Sequence, residues 1–350
     1  MVSLLLSNCF GNIHAHSRAG PDEEAGARIL ELHEFNRHLD YFQEKGYHEV
    51  DTARMYVSGK QEAWTRDAKW KQRGLTLATK VYPEKPGMHE ASRLRKLITS
   101  SLNELGSDSV DIFYLHAPDR SVPYEDTLAE VNKFYQEGKF KQLGLSNYAA
   151  WEVAEICTIA KERGWVRPSI YQAMYNVISK YDAALFQVPG LIKILLARDI
   201  ESELVPCCRK FGMDIVVYNP LAGGLFSGKV KSADAAPTDG RFAESYKYGK
   251  LYRDRFLKKA NMDALKIAEE ATQKHNLTLL ETAIRWVIHH SALKTRTRGG
   301  NDGVVFGVSN FQQLEGNLRD FEKGPLPDNV VESLDRAWLV AKATAASYWR

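Results

Sequence analysis

The chain has 350 residues, of which 44% are hydrophobic and 26% are charged, and its formal net charge is +3. This composition supplies a sizeable core, and basic residues scattered along the chain do not favour binding to nucleic acids or membrane surfaces. No apolar run reaches the roughly 18 residues that a membrane-spanning helix needs. The four cysteines lack CxxC spacing, which predicts a reduced, cytoplasmic protein.

Short β-rich runs alternate with longer amphipathic segments. The predicted strands are almost continuously apolar, as is typical of strands covered on both faces, and they lie at 48–53, 75–81, 110–116, 142–147, 169–176, 214–220 and 303–309. The helical segments between them lie at 27–43, 89–105, 124–136, 150–163, 201–211, 257–275 and 279–289.

This alternation predicts a parallel sheet. No GxGxxG motif follows an early strand, which argues against a Rossmann fold, and the length suits a (β/α)₈ (TIM) barrel as the α/β fold class. Seven strands are predicted where such a barrel needs eight.

Polar residues lie at the carboxyl ends of these seven strands. They are Asp51, Lys80, His116, Ser146 with Asn147, Gln172, Tyr218 with Asn219, and Ser309 with Asn310. In a parallel barrel all of these ends open on one face, which is where barrel active sites lie. Packing alone does not explain seven consecutive strands that end in this way.

Four of the early residues suit the reduction of a carbonyl group. Asp51 supplies the counter-charge that a buried Lys80 needs, and a cation beside a phenol favours the phenolate. The expected result is a pKa of Tyr56 lowered from ~10 toward neutrality, so that Tyr56 can pass a proton to a substrate oxygen. A neutral His116 would hydrogen-bond the same oxygen. The hydride has to come from a cofactor, because no side chain supplies one.

Several motifs, in order along the chain, resemble those of the aldo-keto reductases. They are DTARMYVSGKQE, LATKV, YLHAPDR, GLSNYA, IYQAMYN, YNPLAGGLFSGK and GVSNFQQLEGNL. The segments YLHAPDRSVPYEDTL, EGKFKQLGLSNYAAWEVAEIC and YRDRF, and an aromatic-Arg ending, are most similar to the aflatoxin-aldehyde (succinic-semialdehyde-reducing, dimeric) branch. The resemblance covers roughly residues 20–350 with one interruption.

The resemblance implies a role for each matching residue. Tyr56 would be the proton donor, Asp51 and Lys80 would tune it, and NADPH would be the cofactor, preferred over NADH because Arg241 matches an arginine for the 2′-phosphate. The implied cofactor-binding set is Ser146, Asn147, Gln172, Tyr218, Asn219, Pro220, Leu221, Gly223, Gly224, Leu225, Lys229, Arg241, Gly307, Ser309, Asn310, Gln313 and Asn317. A small carbonyl substrate would contact His116, Tyr252, Arg255 and Arg350. A homodimer is the implied assembly.

Plainer interpretations exist for these residues. Asp51 alone is a common turn or helix-capping residue, and the glycine pair alone is a common turn. A surface salt bridge is an alternative for Arg255. His289 and His290 fit a helix end, and no further ligands accompany them to form a metal site.

Two segments depart from the family's pattern and set the domain boundaries. Residues 1–19 are an atypical segment before a barrel of 20–350, and they lack the family's Gly-x-Met-x-Phe-Gly strand. SLLLSNCF has strand character but precedes the first helix by ~10 residues more than usual, so the first strand is expected to be missing or substituted. Residues 180–198 interrupt the chain after strand six. They form either an apolar flap on the catalytic face or a translated intron.

The sequence therefore predicts NADPH-dependent reduction of aldehydes or ketones to alcohols. The substrate would belong to detoxification or to secondary metabolism. Two alternatives remain open: a cofactor-binding module without enzymatic activity, similar to channel β subunits, and a reductase impaired by a broken first strand.

Overall fold

Parallel strands form a closed barrel in the computed structural model, which describes residues 2–5, 21–178, 199–235, 237–342 and 347–350. Neighbouring strands pair in chain order, and the last pairs with the first. The eight strands are β1 Val2–Leu5, β2 Glu49–Asp51, β3 Thr76–Val81, β4 Val110–Leu115, β5 Phe140–Ser146, β6 Pro168–Met174, β7 Asp214–Tyr218 and β8 Gly303–Gly307. The predicted barrel is confirmed, and each predicted strand contains one of β2 to β8 or overlaps it.

The first strand is present, so of the two expectations, a missing strand is wrong and a substituted strand is confirmed. In β1, Leu4 pairs with Val50 on β2 and with Phe306 on β8, and its side chain is fully buried. The early SLLL run therefore substitutes for the family's strand despite its distance from the first helix. The residues at 6–20 that join the two, and the predicted insertion at 180–198, lie outside the described residues.

Helices surround the barrel. Those in the described part of the chain are α1 Pro21–Glu44, α2 Gln61–Asp67, α3 Ala91–Leu105, α4 Tyr124–Gln136, α5 Ala150–Glu162, α6 Asp199–Ser202, α7 Leu204–Phe211, α8 Gly249–Phe256, α9 Lys259–Gln273, α10 Leu279–His289, α11 Phe311–Phe321 and α12 Asp328–Ala341. Four of these helices, α2, α8, α11 and α12, were not predicted from the sequence. For α12 a signal existed, because Val330, Leu334, Ala337 and Ala341 recur every three or four residues and are buried.

The barrel interior is filled by a small cluster of side chains from alternate strand positions. Its members are Ala78, Ile112, Tyr114, Ile170, Val216 and Val305. The Tyr114 ring lies against β5 at Gly144, where a Cβ atom would stand 2.3 Å from the ring. Glycine at this position therefore lets a large aromatic residue fill the interior, and the larger apolar core lies between the strands and the helices.

Candidate active site

A buried ion pair lies at the centre of the carboxyl face. Lys80, in β3, donates to Asp51 Oδ2 at the end of β2 over 2.5 Å, and the two side chains are 0% and 2% exposed. Lys80 also donates to the backbone oxygen of Thr52 (3.0 Å), while Gln172 Nε2 donates to Asp51 Oδ1 (3.0 Å). The pairing of Asp51 with Lys80 is as the sequence predicts. Asp51 is more than a capping residue, because its two carboxylate oxygens bind side chains from two other strands.

Tyr56 lies directly above this pair. Residues Tyr56–Gly59 form a 3₁₀ turn after β2, in which Val57 and Ser58 adopt positive φ angles. Lys80 Nζ lies 4.8 Å from the centroid of the Tyr56 ring. The edge of this ring contacts His116, with centroids 5.9 Å apart and planes at 86°. The structure therefore brings together all four residues that the sequence predicts to be catalytic.

The pKa of Tyr56 departs from the sequence-based expectation. Burial raises it well above its usual value, and the nearby charge of Asp51 adds to the increase. Lys80 does not reverse this effect, since its charge is already matched by the carboxylate 2.5 Å away. The expectation of a lowered pKa is wrong for this arrangement, and Tyr56 is a neutral phenol at physiological pH.

His116 is held as a neutral imidazole. Burial lowers its pKa well below the usual value, and the charges of Lys80 and Arg350 act in the same direction. Its backbone oxygen accepts from Asn147 Nδ2 (2.7 Å), which fixes the end of β4 to the end of β5. Its Nδ1 atom is buried and has no hydrogen-bond partner. A neutral ring with a free nitrogen is suited to a hydrogen bond with a ligand.

The ends of β5, β6 and β7 bring polar groups together beside the four residues. Asn147 has a φ of +64° and donates to Ser146 Oγ, while its Oδ1 accepts from Tyr218 (2.9 Å). Ser146, Asn147 and Gln172 are buried, and Tyr218 is partly exposed. The site thus offers amide and hydroxyl groups next to one aromatic ring, as predicted for this part of the sequence.

A turn rich in left-handed residues follows β7. Residues Ala222–Ser227 form a 3₁₀ element, and the φ angles of Ala222, Gly223 and Gly224 are +49°, +69° and +102°. A Cβ atom on Gly224 would have nothing within 4 Å, so the backbone there borders open space. In the same segment Pro220 and Leu225 are buried, Leu221 is half-buried, and Lys229 is exposed.

Arg241 lies near Tyr56. It donates to Asn219 Oδ1 (2.8 Å) and to the Tyr252 hydroxyl (2.9 Å), and its charge acts on the pKa of Tyr56. Burial alone would raise the pKa of Tyr252, but Arg241 and the hydrogen bonds outweigh it and the pKa lies below the usual value. These contacts join the segment after β7 to Tyr252 on α8.

The residues after β8 form the start of α11. Asn310 Oδ1 accepts from the backbone of Gln313 (2.9 Å), and Gln313 Oε1 accepts from the backbone of Ser309 (2.9 Å). These reciprocal bonds cap the helix, and the three residues are exposed to solvent. Gly307 is half-buried, and Asn317 is buried one turn further along the helix.

The end of the chain reaches the site. The backbone of Arg350 donates to Asn147 O (3.0 Å), and the Tyr348 hydroxyl donates to Glu203 Oε1 (2.7 Å) while it accepts from the backbone of Ala150 (3.0 Å). Arg255 contacts Met174 Sδ at 3.3 Å and acts on the pKa of Tyr218, as Arg350 does. Arg255 therefore faces the site, in contrast to the alternative of a surface salt bridge.

Two aromatic residues near the site were not predicted. Tyr348 anchors the chain end, and Tyr82 contacts the His116 ring edge-on, with centroids 5.4 Å apart at 84°. A signal for Tyr82 was present, because it is the first large side chain after β3, two positions beyond Lys80.

The histidine pair at the end of α10 is structural. His289 Nε2 bonds Lys323 O (2.8 Å), and His290 Nε2 accepts from the backbone of Leu326 (2.8 Å). Among the described residues, no cluster of His, Cys, Asp or Glu has the arrangement of a metal site. No helix in the described part of the chain is long and apolar enough to cross a membrane.

A parallel barrel with its polar groups gathered at the carboxyl ends of the strands has the architecture of (β/α)₈ enzymes. The chain belongs to the aldo/keto reductase family, whose model matches residues 25–339, and it is an oxidoreductase.

The chain is similar to curated members of this family over most of its length. It is 38% identical over 315 residues to an aldo-keto reductase of Pseudocercospora fijiensis, which covers 89% of this chain and 99% of that protein. It is 39% identical over 348 residues to aflatoxin B1 aldehyde reductase member 2 of Mus musculus, with 93% and 88% covered. Aldo-keto reductase pigE of Monascus ruber is 36% identical over 337 residues, with 93% and 92% covered.

Proposed function

We propose that this protein reduces aldehydes and ketones to alcohols with NADPH, and that Tyr56 is the proton donor. The observation that carries the proposal is the position of Tyr56, whose ring lies over Lys80 and against His116 while Lys80 is fixed by Asp51. Relatives named aflatoxin B1 aldehyde reductase support aldehydes as one substrate class.

Each of these side chains has its own role at the carbonyl oxygen of the substrate. Tyr56 is protonated in its resting form because burial raises its pKa, so it has a proton to give. His116 is neutral, and its ring directs a hydrogen bond to the same oxygen. Lys80 lies against the Tyr56 ring, where it would position the phenol for proton transfer, and Asp51 keeps Lys80 in place.

The residues present fit a nicotinamide dinucleotide. When bound, this cofactor supplies the hydride for the carbonyl carbon. Ser146, Asn147 and Gln172 would hold its carboxamide, and Tyr218 would stack on its ring. The open backbone at Gly224 admits the pyrophosphate next to the exposed Lys229.

The preference for NADPH over NADH would come from the groups that contact the 2′-phosphate, which only NADPH carries. Ser309, Asn310 and Gln313 are exposed at the amino end of α11, where the helix dipole favours an anion, and Asn317 follows in the same helix. Arg241 is not part of this group, because it is hydrogen-bonded to Asn219 and Tyr252 and its charge acts on Tyr56. Comparing the KM for NADPH with that for NADH tests this assignment.

Closure of the barrel favours an active enzyme over an impaired one. Leu4 pairs with residues of both β2 and β8, so the barrel is closed at the position of the family's first strand. A non-enzymatic module would bind the cofactor but would not turn over a substrate, so measuring both binding and turnover distinguishes it from an enzyme.

The test compares the full-length chain with Tyr56→Phe in an assay of NADPH oxidation with an aldehyde in excess. The variant keeps the ring over Lys80 but has no proton to give, so kcat is expected to fall by about 10² or more. Tyr135→Phe, which alters a tyrosine 40% exposed on α4, is the matched control. Quenching of NADPH fluorescence is expected for all three proteins. Equal turnover by the wild type and Tyr56→Phe would refute the role of Tyr56.

A further inference from the structure

A buried carboxylate lies at the start of α5, close to the turn that carries Asn147. Glu152 is fully buried, and each of its two carboxylate oxygens accepts two hydrogen bonds. Oε1 accepts from Arg120 Nε (2.7 Å) and from the Tyr124 hydroxyl (2.5 Å). Oε2 accepts from Arg120 Nη2 (3.1 Å) and from the backbone of Ala149 (2.6 Å). The four acceptor positions of the carboxylate are therefore filled.

The donors come from two successive strand–helix units of the barrel. Arg120 belongs to the loop between β4 and α4, Tyr124 is the first residue of α4, and Ala149 directly precedes α5. A helix cap needs only the contact with the backbone of Ala149, whereas a fully buried carboxylate is costly to remove from water. Arg120 and Tyr124 offset this cost, and they tie the start of α5 to the preceding unit.

The turn between β5 and α5 has a conformation that its surroundings have to maintain. Asn147 has a φ of +64°, in the left-handed region that few residues other than glycine adopt. The carbonyl oxygen of Tyr148 accepts from the Tyr171 hydroxyl (2.6 Å), and the next residue, Ala149, is bound by Glu152. These bonds fix the course of the chain directly after Asn147, so Glu152 contributes to the orientation of the Asn147 side chain.

We propose that Glu152 is a positioning residue for the nicotinamide end of the cofactor. By fixing the start of α5, it holds Asn147 and the adjacent Ser146 in the orientation that binds the carboxamide. Glu152 acts through this turn and does not contact the cofactor, because its acceptor positions are filled and its side chain is buried. The proposal rests on the proposed reductase function, and its test measures binding without turnover.

Two ligands that differ in the nicotinamide test the proposal. They are NADPH and 2′,5′-ADP, which carries the phosphorylated adenosine alone, and titration calorimetry on the full-length protein gives a Kd for each. Glu152→Gln keeps the shape of the side chain but places an amide NH₂ group against the donors that surround it. The Kd for NADPH is therefore expected to rise about tenfold, while the Kd for 2′,5′-ADP stays within about twofold.

The matched control is Glu155→Gln, which removes the same charge from an exposed position on α5 and is expected to leave both Kd values unchanged. A general loss of structure would weaken the binding of both ligands alike. Equal weakening of the two ligands in Glu152→Gln, or an unchanged Kd for NADPH, overturns the role of Glu152.

A milder variant keeps the test decisive if Glu152→Gln does not fold. Tyr124→Phe removes one donor to Glu152 and leaves the ion pair with Arg120 intact, so the Kd for NADPH alone is expected to rise about threefold. Tyr135→Phe, at an exposed position on the same helix, is the control. If the wild type does not bind NADPH, the proposed cofactor is wrong and the role of Glu152 falls with it. If the wild type and both variants bind NADPH equally well, only the role of Glu152 is overturned.

Discussion

At the residue scale, the site depends on one buried pair of opposite charges. The strand-end pattern identified both Asp51 and Lys80 because each follows or ends an apolar run. The direction of the pKa of Tyr56 was not predictable from residue types, since it depends on how much of each group is buried and how the lysine charge is balanced.

The contribution of the Asp51–Lys80 pair to the free energy of unfolding can be measured. Lys80→Met leaves the Asp51 carboxylate buried with Gln172 as its side-chain donor, so the free energy of unfolding is expected to fall by about 3–5 kcal/mol. Asp51→Asn combined with Lys80→Met removes both charges and is expected to recover part of the loss. Thermal and chemical unfolding of the single and double variants measure this. A double variant less stable than Lys80→Met would contradict the idea that an uncompensated charge causes the loss.

At the element scale, the deciding feature is how the barrel closes. Periodicity located β2 to β8 because strands covered on both faces are apolar throughout. It also showed strand character in SLLLSNCF, but typical loop lengths argued against its use as β1. Pairing with two neighbouring strands decided the question in the structure. Connection length is a weak constraint, because the entropy of closing a loop rises slowly with its length.

A substitution in β1 tests this closure. Leu4 is completely buried, so Leu4→Ala is expected to lower the free energy of unfolding by about 2–5 kcal/mol. Leu339→Ala, at a position 48% exposed on α12, is the control and is expected to change stability by less than about 0.5 kcal/mol. If the two variants are equally stable, β1 does not contribute to the barrel core as described.

At the scale of the whole molecule, the loops of successive units are joined by polar contacts. The backbone of His89 donates to Asp119 Oδ2 (3.0 Å), and the backbone of Gly87 donates to Ser121 Oγ (2.7 Å). The His89 ring is 1% exposed, and its Nε2 has no partner. Burial lowers the pKa of His89 from 6.5 to about 4, and Asp119 opposes this effect.

This depressed pKa predicts how stability depends on pH. Between pH 6.5 and about 4 the unfolded chain binds a proton at His89 that the folded chain does not, so stability falls as the pH falls through this window. The contribution of His89 is up to about 3 kcal/mol and is fully present above pH 6.5. His89→Leu is expected to flatten the plot of Tm against pH in this range. The exposed His33→Gln is expected to leave the plot unchanged, and an equal slope in His89→Leu would show that other groups cause the loss.

The sequence by itself determined the fold class, seven of the eight strands, and the four polar residues that the structure brings together at the carboxyl face. It could do so because strand periodicity and strand-end polarity are local properties that all parallel barrels share. The tertiary structure decided the closing strand, the contact of Gln172 with Asp51 across 121 positions, and the contact of Tyr82 with His116. These features depend on barrel closure and burial, which bring distant residues together and set their charges.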